Sequence, residues 1–225
     1  MKGTLVNVAT VLVGSAIGLA VGPRLPERIK TIIVSALGLV TFVIGLRMAL
    51  KSESILIVIA SMIAGGIVGE LLDLEGKIEA LGDYLRAKVG STQGNFVTGF
   101  VTASLVYCVG PMTIVGSIQE GMNGRPDVLY AKAMLDGAAS VAFASSLGLG
   151  VAFSAVTVLL FQGALTLLGS QLAFLLEDQI LNELIGTGGV MILGIGLILL
   201  DLKRLRVANY LPALVFAVLL ALLFR

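Results

Sequence analysis

Residues 4–22 read TLVNVATVLVGSAIGLAVG, a run of 19 residues without a charged side chain. A helix needs about 20 apolar residues to cross roughly 30 Å of hydrocarbon. Comparable runs recur along the chain, and we predict transmembrane helices at 4–22, 31–49, 54–72, 94–120, 127–147, 150–174, 184–200 and 208–224. The sequence therefore predicts an all-α integral membrane protein, a compact polytopic bundle of about eight transmembrane helices, with 1–225 forming a single membrane domain.

The composition agrees with a membrane protein. Of 225 residues, 57% are hydrophobic and 13% are charged, whereas soluble domains carry roughly 25% charged residues. That charged share leaves too little polar surface to cover a globule of this size, so apolar surface must meet lipid. The net charge of +1 gives no field that would attract nucleic acid. The expected partners are the lipid bilayer and a small solute or ion, and a homo-oligomer stays open.

The residue types leave little room for catalysis. The chain has no histidine, which rules out a Ser–His system. Cys108 is the only cysteine, so no internal disulfide can form. Cys108 and Met112, four residues apart, supply two soft ligands at most, too few for a convincing metal site. We expect no enzyme activity, no cofactor and no metal.

Apolar residues recur at helical spacing through the connection at 73–93, and charged residues lie mostly elsewhere on the helical wheel. This pattern predicts an amphipathic helix lying in the membrane interface. The apolar positions are Leu74, Ile78, Leu81, Leu85 and Val89.

The distribution of Lys and Arg predicts the orientation. Nine lie on the side of the odd-numbered connections and six on the other side, or five if Lys132 lies inside a helix. Because Lys and Arg concentrate in cytoplasmic loops, both termini are expected on the outer, non-cytoplasmic side of the inner membrane. The first apolar run is interpreted as a span rather than a signal peptide, because it is long and 23–26 resembles a loop.

The fourth predicted span has a helix breaker near its centre. As one straight helix, 94–120 would run about 40 Å, and Gly110 with Pro111 interrupts it, since proline removes a backbone N–H and clashes with the preceding turn. A second half that begins near Met112 and Thr113 would offer free N–H groups to an anion or a carboxylate. The alternative is a kink whose hydroxyls bond back to the helix.

The fifth span carries charge at membrane depth. Lys132, Asp136 and Ser140 form one stripe, and an ionisable residue at that depth costs at least about 2.5 kcal/mol. The alternatives are a functional pair facing a cavity and a structural salt bridge. We predict that a substrate or ion pathway is lined by polar and small residues of several spans. They are Asn7, Ser104, Tyr107, Cys108, Gly110, Pro111, Met112, Thr113, Ser117, Glu120, Lys132, Asp136, Ser140, Ser154, Gln162 and Asn209.

Glycines recur at close helical spacing on two spans. They predict close helix packing, because lipid tails are as apolar as leucine and near backbone approach holds such helices together. Packing within one chain and a dimer interface are the two interpretations. These glycines are Gly14, Gly18 and Gly22 on the first span and Gly65, Gly66 and Gly69 on the third.

A faint internal repeat relates the two halves. Gly38 and Gly45 lie seven residues apart before a leucine, as do Gly189 and Gly196. Pairing the first three spans with the last three would give an inverted repeat, a common feature of transporters.

The central motif resembles a known bacterial membrane family, domain of unknown function 554. The resemblance rests on GFVTASL at 99–105, CVGPM at 108–112 and IVGSIQEG at 114–121, and VANYLPAL at 207–214 extends it. Shorter matches follow: Gly3, Thr4 and Asn7; Lys132 with LDG at 135–137; GLGV at 148–151 with Phe153 and Ser154; Gln162 and Gly163. In members of this family we expect a small residue such as alanine at the position of Pro111. Proline at that position would make the helix break sharper in this chain. The resemblance implies a multi-spanning inner-membrane protein of bacteria or archaea and supplies no substrate.

The leading hypothesis from the sequence is a secondary transporter or channel for a small solute or ion. Its site would lie between the broken fourth helix and the stripe that contains Lys132 and Asp136. The alternative is a non-transporting scaffold or sensor that assembles through glycine-rich helix faces.

Overall fold

The computed structural model describes residues 1–89 and 95–224, which form helices and no strands. The α-helices of these ranges are α1 Lys2–Val21, α2 Glu27–Ala49, α3 Ile55–Leu71, α4 Leu74–Val89, α5 Phe96–Cys108, α6 Pro111–Asn123, α7 Asp127–Leu147, α8 Gly150–Leu167, α9 Asp178–Leu199 and α10 Pro212–Leu223. Short 3-10 helices lie at Gly22–Arg24, Ala173–Leu176 and Val207–Tyr210. The helical fold predicted from the sequence is confirmed.

Several predicted boundaries were wrong where polar residues continue a helix. α2 begins at Glu27 rather than at 31, and α9 begins at Asp178 rather than at 184. Both first turns are polar, so hydropathy does not reveal them although the backbone is helical. α8 ends at Leu167, before the predicted end at 174, and Gly169 then packs against the backbone of Gly121.

Among the described residues, four helices are long and apolar enough to cross a membrane, or up to six if each of two bent helix pairs counts as one span. The expected number of eight is therefore larger than length and composition support. α3 has 17 residues and α10 has 12. α7 has 21 residues but includes Lys132 and Asp136, which lower its mean hydropathy.

The chain divides into two compact units, and a single membrane domain stays a prediction. The first comprises Met1–Ser35 and Leu81–Ala173, and the second comprises Ala36–Ala80 and Phe174–Arg225. Each unit packs its helices through glycines.

In the first unit, α1 and α7 run parallel in close contact. Gly14 lies against the carbonyl oxygen of Gly137, and Gly18 lies against that of Val141. A Cβ built on Gly22 would come within 2.7 Å of the Ser145 carbonyl oxygen. Steps of four residues on α1 thus match steps of four on α7, the geometry of interdigitating helix ridges. The glycines predicted to mediate packing on the first span are in contact within the chain.

The pair α5–α6 runs along the length of α8 in the same unit. Phe96 at the start of α5 contacts Gly150 at the start of α8, and Gly121 near the end of α6 contacts Thr166 near the end of α8. Between the two helices the axis bends by 57°. The pair therefore passes from one end of α8 to the other, and the chain bends at Gly110 and Pro111, where the sequence predicts a break. That the pair is one discontinuous membrane span stays a prediction.

In the second unit, α3 packs against α10. Gly65 lies against the backbone nitrogen of Ala213, and Gly69 lies against the carbonyl oxygen of Asn209. Gly66 faces the ring of Tyr210, where a Cβ would be 2.7 Å from Cε1. The second group of predicted packing glycines is thus also covered within the chain.

α2 and α9 also pack closely within the second unit. A Cβ on Gly45 would come within 2.8 Å of the Gly189 carbonyl oxygen, and Gly196 lies against the backbone of Phe42. The two glycine pairs that suggested an inverted repeat therefore meet in one antiparallel contact. The repeat itself stays a prediction.

The helix predicted in the connection at 73–93 is α4, a 16-residue helix with Glu75 in its first turn and Arg86 and Lys88 in its last. Residues 90–93 lie outside the described ranges, as does residue 94 at the start of the predicted fourth span. Leu81, predicted on the apolar face, is 49% exposed. The location of α4 in the membrane interface stays a prediction.

Candidate functional site

A buried hydrogen-bond network joins α1, α7 and α8 inside the first unit. Lys132 and Asp136 form an ion pair one turn apart on α7. Asn7 of α1 donates one amide hydrogen to Asp136 Oδ2 at 2.9 Å and the other to Gln162 Oε1 of α8 at 2.9 Å. All four residues are buried, with Asn7 and Gln162 at 0% exposure. Four candidates from the sequence, on three different helices, therefore meet in one place.

Two threonines extend the network toward the start of α1. Gln162 donates through Nε2 to Thr4 Oγ1 at 3.2 Å, and Thr4 and Thr166 hydroxyls lie 3.3 Å apart. Thr166 Oγ1 in turn lies 2.9 Å from the Gln162 carbonyl oxygen. Thr4 was not among the predicted pathway residues, although it lies one helical turn before Asn7 on the same face of α1.

One acceptor in this network has no partner. Asn7 Oδ1 is buried and makes no hydrogen bond. An unsatisfied buried polar group costs about 1–3 kcal/mol. The orientation of the amide is fixed, since both of its hydrogens already point to the acceptors Asp136 Oδ2 and Gln162 Oε1.

α5 places the aromatic ring of Tyr107 beside the ion pair of Lys132 and Asp136. Tyr107 is 1% exposed, and its hydroxyl lies 2.8 Å from Ser140 Oγ on α7. The Lys132 ammonium nitrogen lies 6.0 Å from the centre of the Tyr107 ring, within reach of a cation–π interaction. Cys108 is buried in the same region as a free thiol. Two further predicted residues, Tyr107 and Ser140, therefore lie beside the ion pair.

The break after α5 is stabilised by one threonine. Gly110 is extended, with φ −73° and ψ 151°, and Pro111 is the first residue of α6. The Thr113 hydroxyl donates to the Tyr107 carbonyl oxygen at 2.7 Å, and the Thr113 N–H donates to the Gly110 carbonyl oxygen at 3.0 Å. The structure thus has both an interrupted helix and a hydroxyl that bonds back to the backbone. The Thr113 hydroxyl donates to a carbonyl oxygen that the interruption would otherwise leave without a hydrogen bond.

Glu120 near the end of α6 caps the start of α1. Its Oε1 accepts from the Gly3 N–H at 3.0 Å and lies 2.9 Å from the Met1 amino nitrogen. A carboxylate is favourable at a helix N-terminus, where backbone N–H groups are free. The predicted pathway residue Glu120 therefore makes a helix-capping contact.

Four further residues of the predicted pathway differ in their hydrogen bonds and in their exposure. Ser104 Oγ donates to Thr157 Oγ1 at 3.0 Å, and Ser154 donates to the carbonyl oxygen of Val151 at 2.6 Å. Ser117 is fully buried and its hydroxyl has no partner. Met112 follows the break and is partly exposed.

Asn209 belongs to the second unit and is not part of the network around Asp136. Its Oδ1 accepts from the Glu75 N–H at 2.7 Å, and its Nδ2 donates to Glu70 at 2.6 Å. Glu75 in turn accepts from the Ala208 N–H at 2.8 Å. These side chains supply hydrogen-bond acceptors for backbone N–H groups at the start of α4 and of the 3-10 helix Val207–Tyr210.

Glu183 is a buried carboxylate that lies one residue before the predicted span 184–200 and was not among the predicted site residues. It is 0% exposed, and its Oε2 accepts from the Ser52 hydroxyl at 2.6 Å. Its Oε1 accepts from the N–H groups of Glu53 and Ser54 at 2.8 and 2.9 Å, just before α3 begins. The signal in the sequence was the polar segment before α3, whose first N–H groups need an acceptor.

Comparison with known proteins supports a membrane family without an assigned activity. A family described as "Protein of unknown function (DUF554)" matches residues 2–222. The chain is similar to the uncharacterized membrane protein YdfK of Bacillus subtilis, with 28% identity over 218 residues, 95% of this chain and 93% of that protein. It is also similar to the uncharacterized protein YqgA of Escherichia coli, with 28% identity over 220 residues, 96% of this chain and 94% of that protein. No solved structure matches.

Proposed function

This chain belongs to the membrane protein family of unknown function DUF554, and from that premise we propose that it is a secondary transporter or channel for a small solute or ion. The proposed site is the network of Asn7, Lys132, Asp136 and Gln162 in the first unit. The broken pair α5–α6 forms one wall of the site.

The observation that carries the proposal is the buried ion pair midway along α7. Lys132 and Asp136 are 4% and 8% exposed; Asp136 lies near the middle of α7, and Lys132 lies one turn closer to its start. Such pairs gain little stability, because desolvation offsets their attraction, and apolar replacements are often neutral or stabilising. A charge kept at that depth in a membrane protein is therefore best explained by a pathway for solute, ion or proton.

The helix break supports the same proposal. Discontinuous helices in transporters place free backbone groups and polar side chains near the membrane midplane. Here α5–α6 runs the full length of α8 and is interrupted beside Tyr107, which contacts the stripe of α7 through Ser140. We propose that the pair is one broken membrane span, with the ion pair close to its interruption.

The orientation and location are part of the proposal. The excess of Lys and Arg on the side of the odd-numbered connections supports both termini outside the plasma membrane of a bacterium or archaeon. Relatives in Bacillus subtilis and Escherichia coli support a bacterial membrane.

The alternative of a scaffold that assembles through glycine faces has less support. Gly14, Gly18 and Gly22 are covered by α7, and Gly65 and Gly69 are covered by α10 and its preceding turn. A face that is filled within the chain does not offer a second copy the close approach that small residues provide.

A flux screen in proteoliposomes tests the proposal. Purified protein is reconstituted, and the uptake of labelled small solutes and ions is compared with that of empty liposomes. Asp136→Asn is expected to lower the active flux by about 100-fold, the effect of removing one partner from a buried charge pair. The matched control is Asp83→Asn, whose carboxylate is exposed and pairs with Arg86 at 3.4 Å. Equal flux in the parent and in Asp136→Asn would remove this site from the mechanism.

A further inference from the structure

An open groove of about 840 Å³ runs along α3 in the second unit and ends at a pair of opposite charges. We propose that this groove binds one phospholipid that has an ammonium head group, as in phosphatidylethanolamine. In the bound state the acyl chain lies in the groove, with the ammonium group at Glu70 and the phosphate at Arg206. The inference goes beyond the proposed function, because every residue that it uses belongs to the second unit.

The wall of the groove suits an acyl chain. One face of α3 forms it, together with Val190 of α9 and Tyr210. Ile59, Ile63 and Ile67 of this face are exposed. With 17 residues, α3 is about 25 Å long, whereas one leaflet contains roughly 15 Å of hydrocarbon. An acyl chain that enters from one leaflet therefore fits along the groove.

Polar groups meet at the end of the groove where α3 is followed by α4. Among the described residues that line the groove, Glu70 alone is charged. Its Oε1 accepts from Arg206 at 2.7 Å, and its Oε2 accepts from Asn209 Nδ2 at 2.6 Å. The helix axis bends by 55° between α3 and α4, and α4 is the helix expected in the membrane interface. Tyr210 follows Asn209, and tyrosine is enriched at interface depth. These charges therefore lie where a lipid head group is expected.

The two charged side chains are open to a ligand. Those of Glu70 and Arg206 are 58% and 64% exposed. An exposed ion pair contributes little stability, so a ligand can open it at little cost. Arg206 donates to Glu70 through one terminal nitrogen, and a guanidinium has five N–H groups in a planar fork. Its other N–H groups can therefore bind phosphate oxygens.

The signs of the two charges select the head group. Phosphoethanolamine carries one positive and one negative charge, and the pair of Glu70 and Arg206 carries the complementary two. An anionic head group would place its net charge near Glu70 and near Glu75, a second carboxylate that interacts with Arg206. A choline head group has no N–H to donate to Glu70. The site therefore favours phosphatidylethanolamine over lipids that have the same chains and another head group.

Native mass spectrometry of the purified full chain in detergent tests the site. The protein is mixed with equal amounts of phosphatidylethanolamine, phosphatidylcholine and phosphatidylglycerol that have identical acyl chains. The parent is expected to retain one phosphatidylethanolamine with about tenfold preference over either competitor, the effect of one hydrogen bond to a charged group. Equal retention of the three lipids would show only the lipid that surrounds any membrane protein and would overturn the proposal. A preference for phosphatidylglycerol would overturn it as well.

Charge variants locate the head group. Glu70→Gln and Arg206→Gln are each expected to reduce the preference to about twofold or less, because each removes a charge-assisted hydrogen bond. Arg204→Gln is the matched control, since Arg204 is exposed in the same loop and is not among the described residues of the groove. A preference that survives both variants, or that falls equally in Arg204→Gln, would overturn the assignment of the head group.

A variant of the groove leaves the charged pair in place. Ile63→Trp fills the groove at a position that is 59% exposed, so the unfolding midpoint should match that of the parent. Retention of all three lipids should fall about tenfold, the effect of uncovering about two methylene groups. Leu39→Trp on α2 is the matched control, because Leu39 is 58% exposed and is not among the described groove residues. Retention by Ile63→Trp at the level of the parent would overturn the placement of the acyl chain.

Discussion

The two units bury their polar side chains in different places. In the second unit, Glu183 and Asn209 lie beside the starts of α3 and α4, where they accept hydrogen bonds from backbone N–H groups. In the first unit, Asp136 lies midway along α7, where the backbone groups are already paired within the helix. Its partners are the side chains of Lys132 and Asn7.

The difference separates structural polar groups from functional ones. A carboxylate at a helix end satisfies N–H groups that no other part of the helix can satisfy, so its burial has a structural cause. The charge pair of Lys132 and Asp136 caps no helix start; Asp136 accepts from the Asn7 amide, whose Oδ1 has no hydrogen-bond partner. Among the described residues, the first unit therefore keeps a buried charge pair that no helix start explains, whereas the fully buried carboxylate of the second unit, Glu183, has a structural cause.

The largest expected effect on stability comes from splitting the pair in the first unit. Asp136→Leu leaves Lys132 buried without a partner and should destabilise the protein by about 3–5 kcal/mol. Thermal unfolding in detergent measures the change, with Asp83→Leu as the exposed control. A shift no larger than that of the control would show that the pair is not buried as described.

Glycine packing should matter equally in both units. Gly14→Ala places a Cβ against the Gly137 carbonyl oxygen, and Gly65→Ala places one against the Ala213 nitrogen. Overpacking of this kind costs about 1–3 kcal/mol. Gly163→Ala is the matched control, since its Cβ would meet only Met1 Cε at 3.4 Å. The midpoint of unfolding should fall for the first two variants only, and an unchanged midpoint for either one would contradict the helix contact assigned to it.

The carboxylate of the second unit should affect stability and leave flux unchanged. Glu183→Gln loses charge-assisted hydrogen bonds to Ser52, Glu53 and Ser54 and should cost about 1–3 kcal/mol. Flux per correctly folded molecule, normalised by size-exclusion recovery, is expected to match the parent. A Glu183→Gln variant with the unfolding midpoint of the parent but without flux would contradict the structural role assigned to Glu183.

The smallest expected effect comes from Pro111→Ala. Pro111 is the first residue of α6, where proline is favourable, so its loss should cost about 0.4–1 kcal/mol. The break should persist, because Gly110 is extended and Thr113 holds the Tyr107 carbonyl oxygen. Flux within about threefold of the parent is therefore expected. A variant with a straightened helix, detected by distance measurements between spin labels on α5 and α6, would contradict this account of the break.

The sequence predicted the helical membrane fold and the position of the bend at Gly110 and Pro111, because both depend on local composition. It flagged Asn7, Asp136 and Gln162 separately, since each is a polar residue in an apolar helix. Their meeting depends on the packing of α1 against α7 and α8, which a single sequence does not reveal. For the same reason Asn209 was grouped with residues of the other unit, and Glu183, which is fully buried, was left outside the predicted spans and the predicted site.

One double variant tests most directly whether the pair in the first unit is kept for function rather than for folding. Lys132→Met with Asp136→Leu replaces the ion pair by apolar side chains of similar size, and its unfolding midpoint and its flux in proteoliposomes are measured on the same preparation. The account predicts a midpoint equal to or above that of the parent, together with loss of flux. A variant that unfolds earlier yet still transports would contradict it.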